Sequence, residues 1–149
     1  MEKTFRVFIF VGRQRHDVFE AVADPDKLSN YFTTGGAKGR LESGATVTWD
    51  FHDFPGAFPV HVEEIVADEL IRFRWKANEP DADYEITVTM RFSDASGRRT
   101  KVEVEEAGYR DTKAAREASY GNCMGWAQML AALKMWVEHG INLREGAYR

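Results

Sequence analysis

The sequence has little cysteine and no long hydrophobic run, and these shortages exclude several classes of protein. Cys123 is the only cysteine among 149 residues, so an intramolecular disulfide and a multi-cysteine metal site are both excluded. No stretch approaches the roughly 18 apolar residues that a membrane-spanning helix needs. The first residues also lack the apolar block of a signal peptide. We therefore expect a cytoplasmic protein that does not span a membrane.

Basic residues are also fewer than acidic ones. The chain has 20 Lys and Arg residues against 24 Asp and Glu residues, which gives a net charge of −4. Because this balance provides no basic field, we expect the protein to bind neither nucleic acid nor an anionic membrane. Hydrophobic residues make up 44% and charged residues 30% of the chain, as in globular proteins. The length predicts one domain over residues 1–149.

No cofactor or metal motif is present. Gly35, Gly36 and Gly39 lack the Lys-Ser/Thr tail of a phosphate-binding loop. His52 and His61 fall on the polar sides of predicted strands, and no H-E-x-x-H or H-x-H motif accompanies them. We therefore predict no cofactor and no metal; the alternative is that these two histidines form a metal site or an acid–base pair with Asp50 or Asp53.

Aromatic residues are abundant instead: ten Phe, five Tyr and four Trp. Such side chains bring a large apolar area into a structure, and Trp and Tyr add one polar atom each. They can fill a core or line a hollow, and this choice is the main functional question that the sequence poses.

Hydrophobic periodicity predicts a mixed α+β fold. Apolar residues alternate with polar ones through the middle of the chain, which is typical of antiparallel strands with one buried face. The spacing becomes helical near residue 111, and the long helix that follows is the only element able to cover such a sheet. Gly121 and Gly125 lie inside it and predict an interruption or a close backbone approach. The predicted strands are 4–11, 46–52, 58–63, 71–76, 84–92 and 101–105, and the predicted helices are 17–23, 25–32 and 111–139.

Several local strings resemble one known family. Residues 18–22 (VFEAV) followed by 24–28 (DPDKL) are similar to its first helix pair, and residues 64–75 are similar to its central hairpin. Gly125 and Trp126, followed by Leu130 and Leu133, resemble the start of its long helix. In order and spacing, these strings resemble the family of homologues of the activator of the heat-shock-chaperone ATPase.

That family belongs to the helix-grip superfamily, with the START lipid-transfer domains and the birch-pollen allergen. The resemblance implies a curved antiparallel sheet of about six to seven strands wrapped around a long C-terminal helix, with two short helices after strand 1. It also implies a cavity for hydrophobic molecules under the long helix. Some superfamily members, such as polyketide cyclases and aromatases, carry out chemistry in this cavity.

We expect an aromatic lining between the sheet and the long helix. The alternation of each strand and the spacing of the helix point one set of apolar side chains into this layer. The alternative is a filled core made of the same residues. The predicted ligand-binding residues are Trp49, Phe51, Phe58, Phe73, Trp75, Tyr84, Met90, Trp126, Met129 and Leu133.

Two carboxylates occupy strand positions that the apolar–polar alternation predicts to face inward. Alternation places Glu64 and Glu106 on the buried side of their strands, unless a bulge shifts the register. Burial would raise the pKa of either group and make it a candidate for catalysis or ligand orientation.

Cys123 has no neighbouring base in the sequence and is expected to be a packing thiol.

The sequence therefore predicts a non-enzymatic protein that binds a small hydrophobic or aromatic molecule. The first alternative is an enzyme of the polyketide cyclase or aromatase type that acts on a hydrophobic substrate. The second is a module that interacts with a chaperone. An exposed first strand rich in Phe also makes a homodimer an open alternative.

Overall fold

The computed structural model describes residues 3–148, apart from the side chains of Lys3 and Phe54. Seven strands in this part of the chain form one curved antiparallel sheet, and three α-helices pack with it. The strands are β1 (Lys3–Val11), β2 (Gly36–Lys38), β3 (Thr46–Phe51), β4 (Phe54–Val66), β5 (Leu70–Lys76), β6 (Glu85–Ala95) and β7 (Arg99–Ala107), and the helices are α1 (Arg15–Ala23), α2 (Pro25–Leu28) and α3 (Lys113–His139).

The strands are arranged in the order β1-β7-β6-β5-β4-β3-β2, so β1 and β2 are the two edges of the sheet. β7 shows why the alternating pattern predicts this layer correctly: Val102, Val104 and Glu106 are buried, and the residues between them are half-buried. The core lies between this face of the sheet and the helices. The α+β helix-grip architecture expected from the sequence is confirmed.

The two short helices form where predicted, but α2 is shorter than expected. Asp24 caps α2 by accepting a hydrogen bond from the Asp26 amide at 2.9 Å, and Pro25 follows at the first helical position. The prediction that this helix continues to residue 32 is wrong. Ser29 ends it, and the backbone beyond continues as irregular turns, in which the Asn30 amide donates to the Lys27 carbonyl and the Phe32 amide to the Leu28 carbonyl.

α3 is continuous from Lys113 to His139. Thr112 caps its first turn by accepting from the Ala115 amide, and Gly140 ends it with a φ of 69°, a conformation that glycine adopts without strain. The interruption or close approach expected at Gly121 and Gly125 is absent. A β-carbon at Gly125 would meet no atom within 4 Å, and nothing in the packing explains either glycine.

No helix in residues 3–148 combines the length and the apolar character needed to cross a membrane.

The loop predicted around residues 33–36 is partly a strand. β2 pairs with β3 from Gly36 to Lys38. Gly35 makes this pairing possible, because a β-carbon there would lie 2.9 Å from the backbone of Asp50 and Phe51. The turn predicted over residues 52–56 is shorter than expected, since β4 begins at Phe54.

The inward orientation predicted for Glu64 is wrong. The register between β4 and β5 shifts between Val62 and Glu64, and such a bulge reverses the facing of the residues beyond it. Ile65 packs against the core in its place. The Glu64 side chain is 52% exposed and pairs with Arg72 at 3.4 Å.

α3 also covers part of the β1 edge. Lys134 Nζ donates to the Phe10 carbonyl at 2.8 Å, and the Gly12 amide donates to Glu138 Oε2 at 2.8 Å. The opposite face of β1 is open to solvent, since Phe8 is 57% exposed and lies under the Lys101 ammonium. The chain therefore leaves an aromatic residue exposed here and protects the neighbouring backbone with charged side chains.

Candidate ligand-binding site

A group of seven aromatic residues, which we call the aromatic cluster, occupies the layer between the sheet and α3. Alternate residues of β3 and β5 face this layer because successive strand residues point to opposite sides. α3 contributes one ring from its buried side. The cluster consists of Phe32, Trp49, Phe51, Phe58, Phe73, Trp75 and Trp126.

The rings of the aromatic cluster are in direct contact. Most pairs meet edge to face, such as Trp49 and Phe73, whose centroids are 5.4 Å apart at 71°. Trp75 and Trp126 are stacked instead, with centroids 5.5 Å apart and planes at 29°. This stack joins the end of β5 to the middle of α3.

The aromatic cluster reaches solvent on one side. Trp49, Phe73 and Trp126 are at most 2% exposed, whereas Phe58 and Trp75 are half-buried. The two half-buried rings contact each other with centroids 5.6 Å apart. Phe58 on β4 and Trp75 on β5 therefore form the border of the cluster that is open to water.

Glu106 is the polar centre of this layer. It is fully buried at the end of β7, where Trp126 Nε1 donates to its Oε2 at 2.5 Å. The Tyr109 hydroxyl donates to Oε1 at 2.8 Å, and the Asn122 amide spans both oxygens at 3.1 and 3.0 Å. Three neutral donors therefore surround this carboxylate, and no basic side chain of the described residues pairs with it.

Burial changes the acid–base properties of this group. Loss of solvent raises the pKa of Glu106, and the hydrogen bonds from Trp126, Tyr109 and Asn122 oppose part of this rise. Burial, together with the neighbouring carboxylate, also raises the pKa of Tyr109 well above its ordinary value. The protonated form of Glu106 is thus more favourable here than in water.

Trp75 carries a second unusual polar atom. Its indole nitrogen Nε1 is buried and has no hydrogen-bond partner. Every other buried side-chain nitrogen or oxygen in residues 3–148 has a partner. Buried polar groups nearly always find a partner in folded proteins. This N–H group therefore lacks the hydrogen bond that a buried donor normally makes.

An ion pair lies beside the aromatic cluster at Phe51, the ring that stacks on Phe58. Arg144, beyond the end of α3, donates to Asp53 Oδ1 from Nε at 3.1 Å and from Nη2 at 3.0 Å. The Asp53 side chain is 4% exposed and that of Arg144 14% exposed. The guanidinium carbon lies 4.8 Å from the centroid of the Phe51 ring, so the C-terminal segment packs against the cluster there.

The structure brings most of the predicted lining residues together. Six of them are members of the aromatic cluster, namely Trp49, Phe51, Phe58, Phe73, Trp75 and Trp126. Met90, Met129 and Leu133 are fully buried in the same core. Whether these residues bind a ligand stays a prediction.

Tyr84 lies elsewhere. It packs in a smaller group with Ala82 and Ile86, beneath the guanidinium of Arg110, whose carbon is 4.2 Å from the ring centroid. An open cleft of about 290 Å³ lies beside it, between Lys76 and Glu85. Tyr109 and Trp75 also contact this smaller group, which places it next to the Glu106 site.

The two histidines have separate partners. His61 pairs with Glu85 at 3.3 Å, and His52 bonds the Thr34 hydroxyl. Within residues 3–148, no group of three or more His, Cys, Asp and Glu side chains has the arrangement of a metal site.

Sequence reasoning identified Glu106 but missed part of its surroundings. Asn122 lies on the apolar stripe of α3, and a polar residue in that position was the available signal. Tyr109 follows β7 in a short loop, and no periodicity marks it. The contact of Arg144 with Asp53 joins residues 91 positions apart, so no local pattern could have indicated it.

These features define a helix-grip protein whose sheet and long helix enclose aromatic rings around one buried carboxylate. The family model described as Activator of Hsp90 ATPase homolog 1-like protein matches residues 13–138. The chain belongs to this family. No curated protein matches the chain.

Solved structures share the fold over nearly the whole chain. The protein SSP2350 from Staphylococcus saprophyticus is 27% identical with a TM-score of 0.76, and the match covers 94% of this chain and 96% of that one. The Aha1 dimer from Colwellia psychrerythraea is 18% identical with a TM-score of 0.76, covering 94% and 98%. CalU16 from Micromonospora echinospora is 19% identical with a TM-score of 0.70, covering 94% and 76%.

Proposed function

We propose that this protein binds a small hydrophobic or aromatic molecule between the sheet and α3, in the cytoplasm and without converting it chemically. The observation that carries the proposal is the aromatic cluster, which combines closely spaced rings, a border open to water at Phe58 and Trp75, and a buried polar centre at Glu106. A core needs apolar area, but it does not need a carboxylate without a cation beside its largest rings.

The contacts within the aromatic cluster suit an aromatic guest. Edge-to-face and stacked ring contacts contribute about 0.5–1.5 kcal/mol each beyond the area they bury, and a planar aromatic molecule can make contacts of the same kind and energy. Burial of about 200 Å² of ligand surface would contribute roughly 5 kcal/mol before the cost of association. Since 5 kcal/mol corresponds to a dissociation constant of about 0.2 mM, we expect weak binding, with dissociation constants of roughly 0.1 mM or above.

Phe58 and Phe8 provide a matched pair of variants for a first test. Phe58→Ala enlarges the solvent-open border of the aromatic cluster, whereas Phe8→Ala removes an exposed ring on the other face of the sheet. Native mass spectrometry after mild purification, with a thermal-shift screen of neutral polycyclic aromatics and fatty acids, measures binding. We expect a bound species or a thermal shift for wild type and Phe8→Ala, and a clear change for Phe58→Ala. No binding of any class by wild type would refute the proposal.

Glu106 favours a second candidate, an enzyme that acts on a hydrophobic substrate. A buried carboxyl group with a raised pKa can act as a general acid or base. If a bound molecule is recovered from the protein, its incubation with wild type and Glu106→Gln distinguishes the two functions. Conversion by wild type alone would support catalysis, and recovery of the unchanged molecule from both would support binding.

Exposed apolar residues on α3 favour a third candidate, a protein partner. Tyr120 is 64% exposed and Met124 is 61% exposed, one helical turn apart on the outer side of α3. The partner would be a heat-shock chaperone or a second copy of this chain. Sedimentation of the protein alone and with a purified Hsp90-type chaperone, repeated with Tyr120→Lys, tests this candidate.

A further inference from the structure

The buried, unpaired indole N–H group of Trp75 indicates the chemistry of the bound molecule, an inference that rests on the proposed binding function. We infer that Trp75 orients the bound molecule by donating a hydrogen bond to a neutral oxygen acceptor, so that the ligand is a planar aromatic ketone or quinone rather than a pure hydrocarbon or an acid.

The Trp75 ring is held in place by its neighbours. It stacks on Trp126, and its other contacts include Trp49 at 5.9 Å and 90° and Phe73 at 5.3 Å and 79° between ring centroids and planes. A ring confined in this way cannot turn to reach an acceptor of the protein. The buried Nε1 atom therefore stays without a partner until another molecule supplies one.

The position of Trp75 suits an entering molecule. The residue is half-buried and lies between the aromatic cluster and the smaller group around Ala82 and Ile86. A planar ligand that inserts at the Phe58 border would contact the Trp75 ring first. Its oxygen would then satisfy an N–H group that is otherwise unpaired.

The neighbouring charge decides against an acidic ligand. The stacking partner of Trp75 is Trp126, which is bonded directly to the Glu106 carboxyl group. No basic side chain of the described residues pairs with Glu106, so a carboxylate or sulfonate beside it would add a second acid to a site whose hydrogen bonds come from neutral donors. A carbonyl oxygen accepts a hydrogen bond and carries no net charge.

Fluorene and 9-fluorenone are suitable probes, because they share one planar shape and differ by a carbonyl oxygen. Fluorene is the more hydrophobic of the two, so burial alone would favour it. We expect the protein to bind fluorenone at least about fivefold more tightly, as measured by quenching of Trp fluorescence and by calorimetry.

Trp75→Phe keeps an aromatic ring and removes the donor. We expect this variant to bind fluorene as wild type does and to lose its preference for fluorenone. Trp136→Phe is the matched control, because Trp136 is a half-buried tryptophan of α3 outside the aromatic cluster. This variant should keep the preference.

A measurement on the wild type avoids dependence on the folding of the variant. The Trp75 indole proton should shift downfield in the nuclear magnetic resonance spectrum with fluorenone and not with fluorene. Binding of both probes with equal affinity, or an equal loss of both in Trp75→Phe, would overturn the inference and leave the proposed function standing. Failure of wild type to bind either probe would also overturn the inference, and the proposed function would be refuted only if the wider screen of polycyclic aromatics and fatty acids found no binding either.

Discussion

Trp126 Nε1 donates a hydrogen bond of 2.5 Å to Glu106 Oε2, and this bond connects the middle of α3 to the end of β7. The same indole stacks on Trp75 and lies 5.6 Å from Phe32 between ring centroids. One side chain therefore links the only fully buried carboxylate of the described residues to the aromatic cluster. A change at Glu106 should alter both the stability of the fold and the position of this ring.

Replacement of Glu106 separates hydrogen bonding from charge. Glu106→Ala leaves Trp126 Nε1 and the Asn122 amide without an acceptor and creates a cavity, so we expect a loss of about 3 kcal/mol or more in the free energy of unfolding. Glu106→Gln keeps an acceptor for Trp126, and Asn122 can turn its amide to accept from the new one. This variant should stay within about 1 kcal/mol of wild type at pH 7, by urea denaturation. Equal damage from both would show that the fold requires the negative charge.

The raised pKa of Glu106 predicts how stability depends on pH. Because the folded state holds the proton more tightly than the unfolded state, the contribution of this group to stability is greatest below its ordinary pKa of about 4.3. The contribution declines as pH rises through the raised native pKa and is then constant. The difference in unfolding free energy between wild type and Glu106→Gln, measured from pH 4 to 8, isolates this contribution. A difference that increased with pH in favour of wild type would contradict the burial argument.

The ion pair between Arg144 and Asp53 should anchor the C-terminal segment. Arg144→Ala leaves a nearly buried carboxylate unpaired, and breaking such a pair costs about 3 kcal/mol or more. Lys113→Ala is the control, because Lys113 and its partner Glu117 are 83% and 63% exposed and such a pair contributes under about 1 kcal/mol. Thermal and urea denaturation of both variants measure the contrast. Similar small effects would mean that the segment is not anchored by this pair.

Glu138 should protect the backbone at the β1 edge. Lys134, and then the Gly12 amide, lower the pKa of Glu138 by hydrogen bonding to its ionised form. Glu138→Ala removes the acceptor of the Gly12 amide, so we expect that amide to exchange with solvent at least about tenfold faster, as for the loss of about 1.5 kcal/mol. Glu117→Ala, on the exposed side of α3, is the control. Unchanged exchange at Gly12 would show that other contacts protect this edge.

Much of the fold was predictable because its signals are local. Period-two alternation identified six of the seven strands, and a short capped sequence at Asp24 identified α2. β2 was missed because it has only three residues and depends on the close approach allowed by Gly35. The same alternation placed Glu106 inside correctly and Glu64 inside wrongly, because a bulge between β4 and β5 cannot be seen in a pattern of apolar residues.

The amino-acid sequence by itself determined six of the seven described strands, the three helices and the side of β7 that carries Glu106, because side-chain facing in a strand without a bulge follows its two-residue repeat. Tertiary structure alone decided that Trp126 reaches Glu106, that Arg144 pairs with Asp53, and that Trp75 keeps an unpaired N–H group. Each of these depends on how separate elements cross and pack, and that geometry is set by the whole fold rather than by neighbours along the chain.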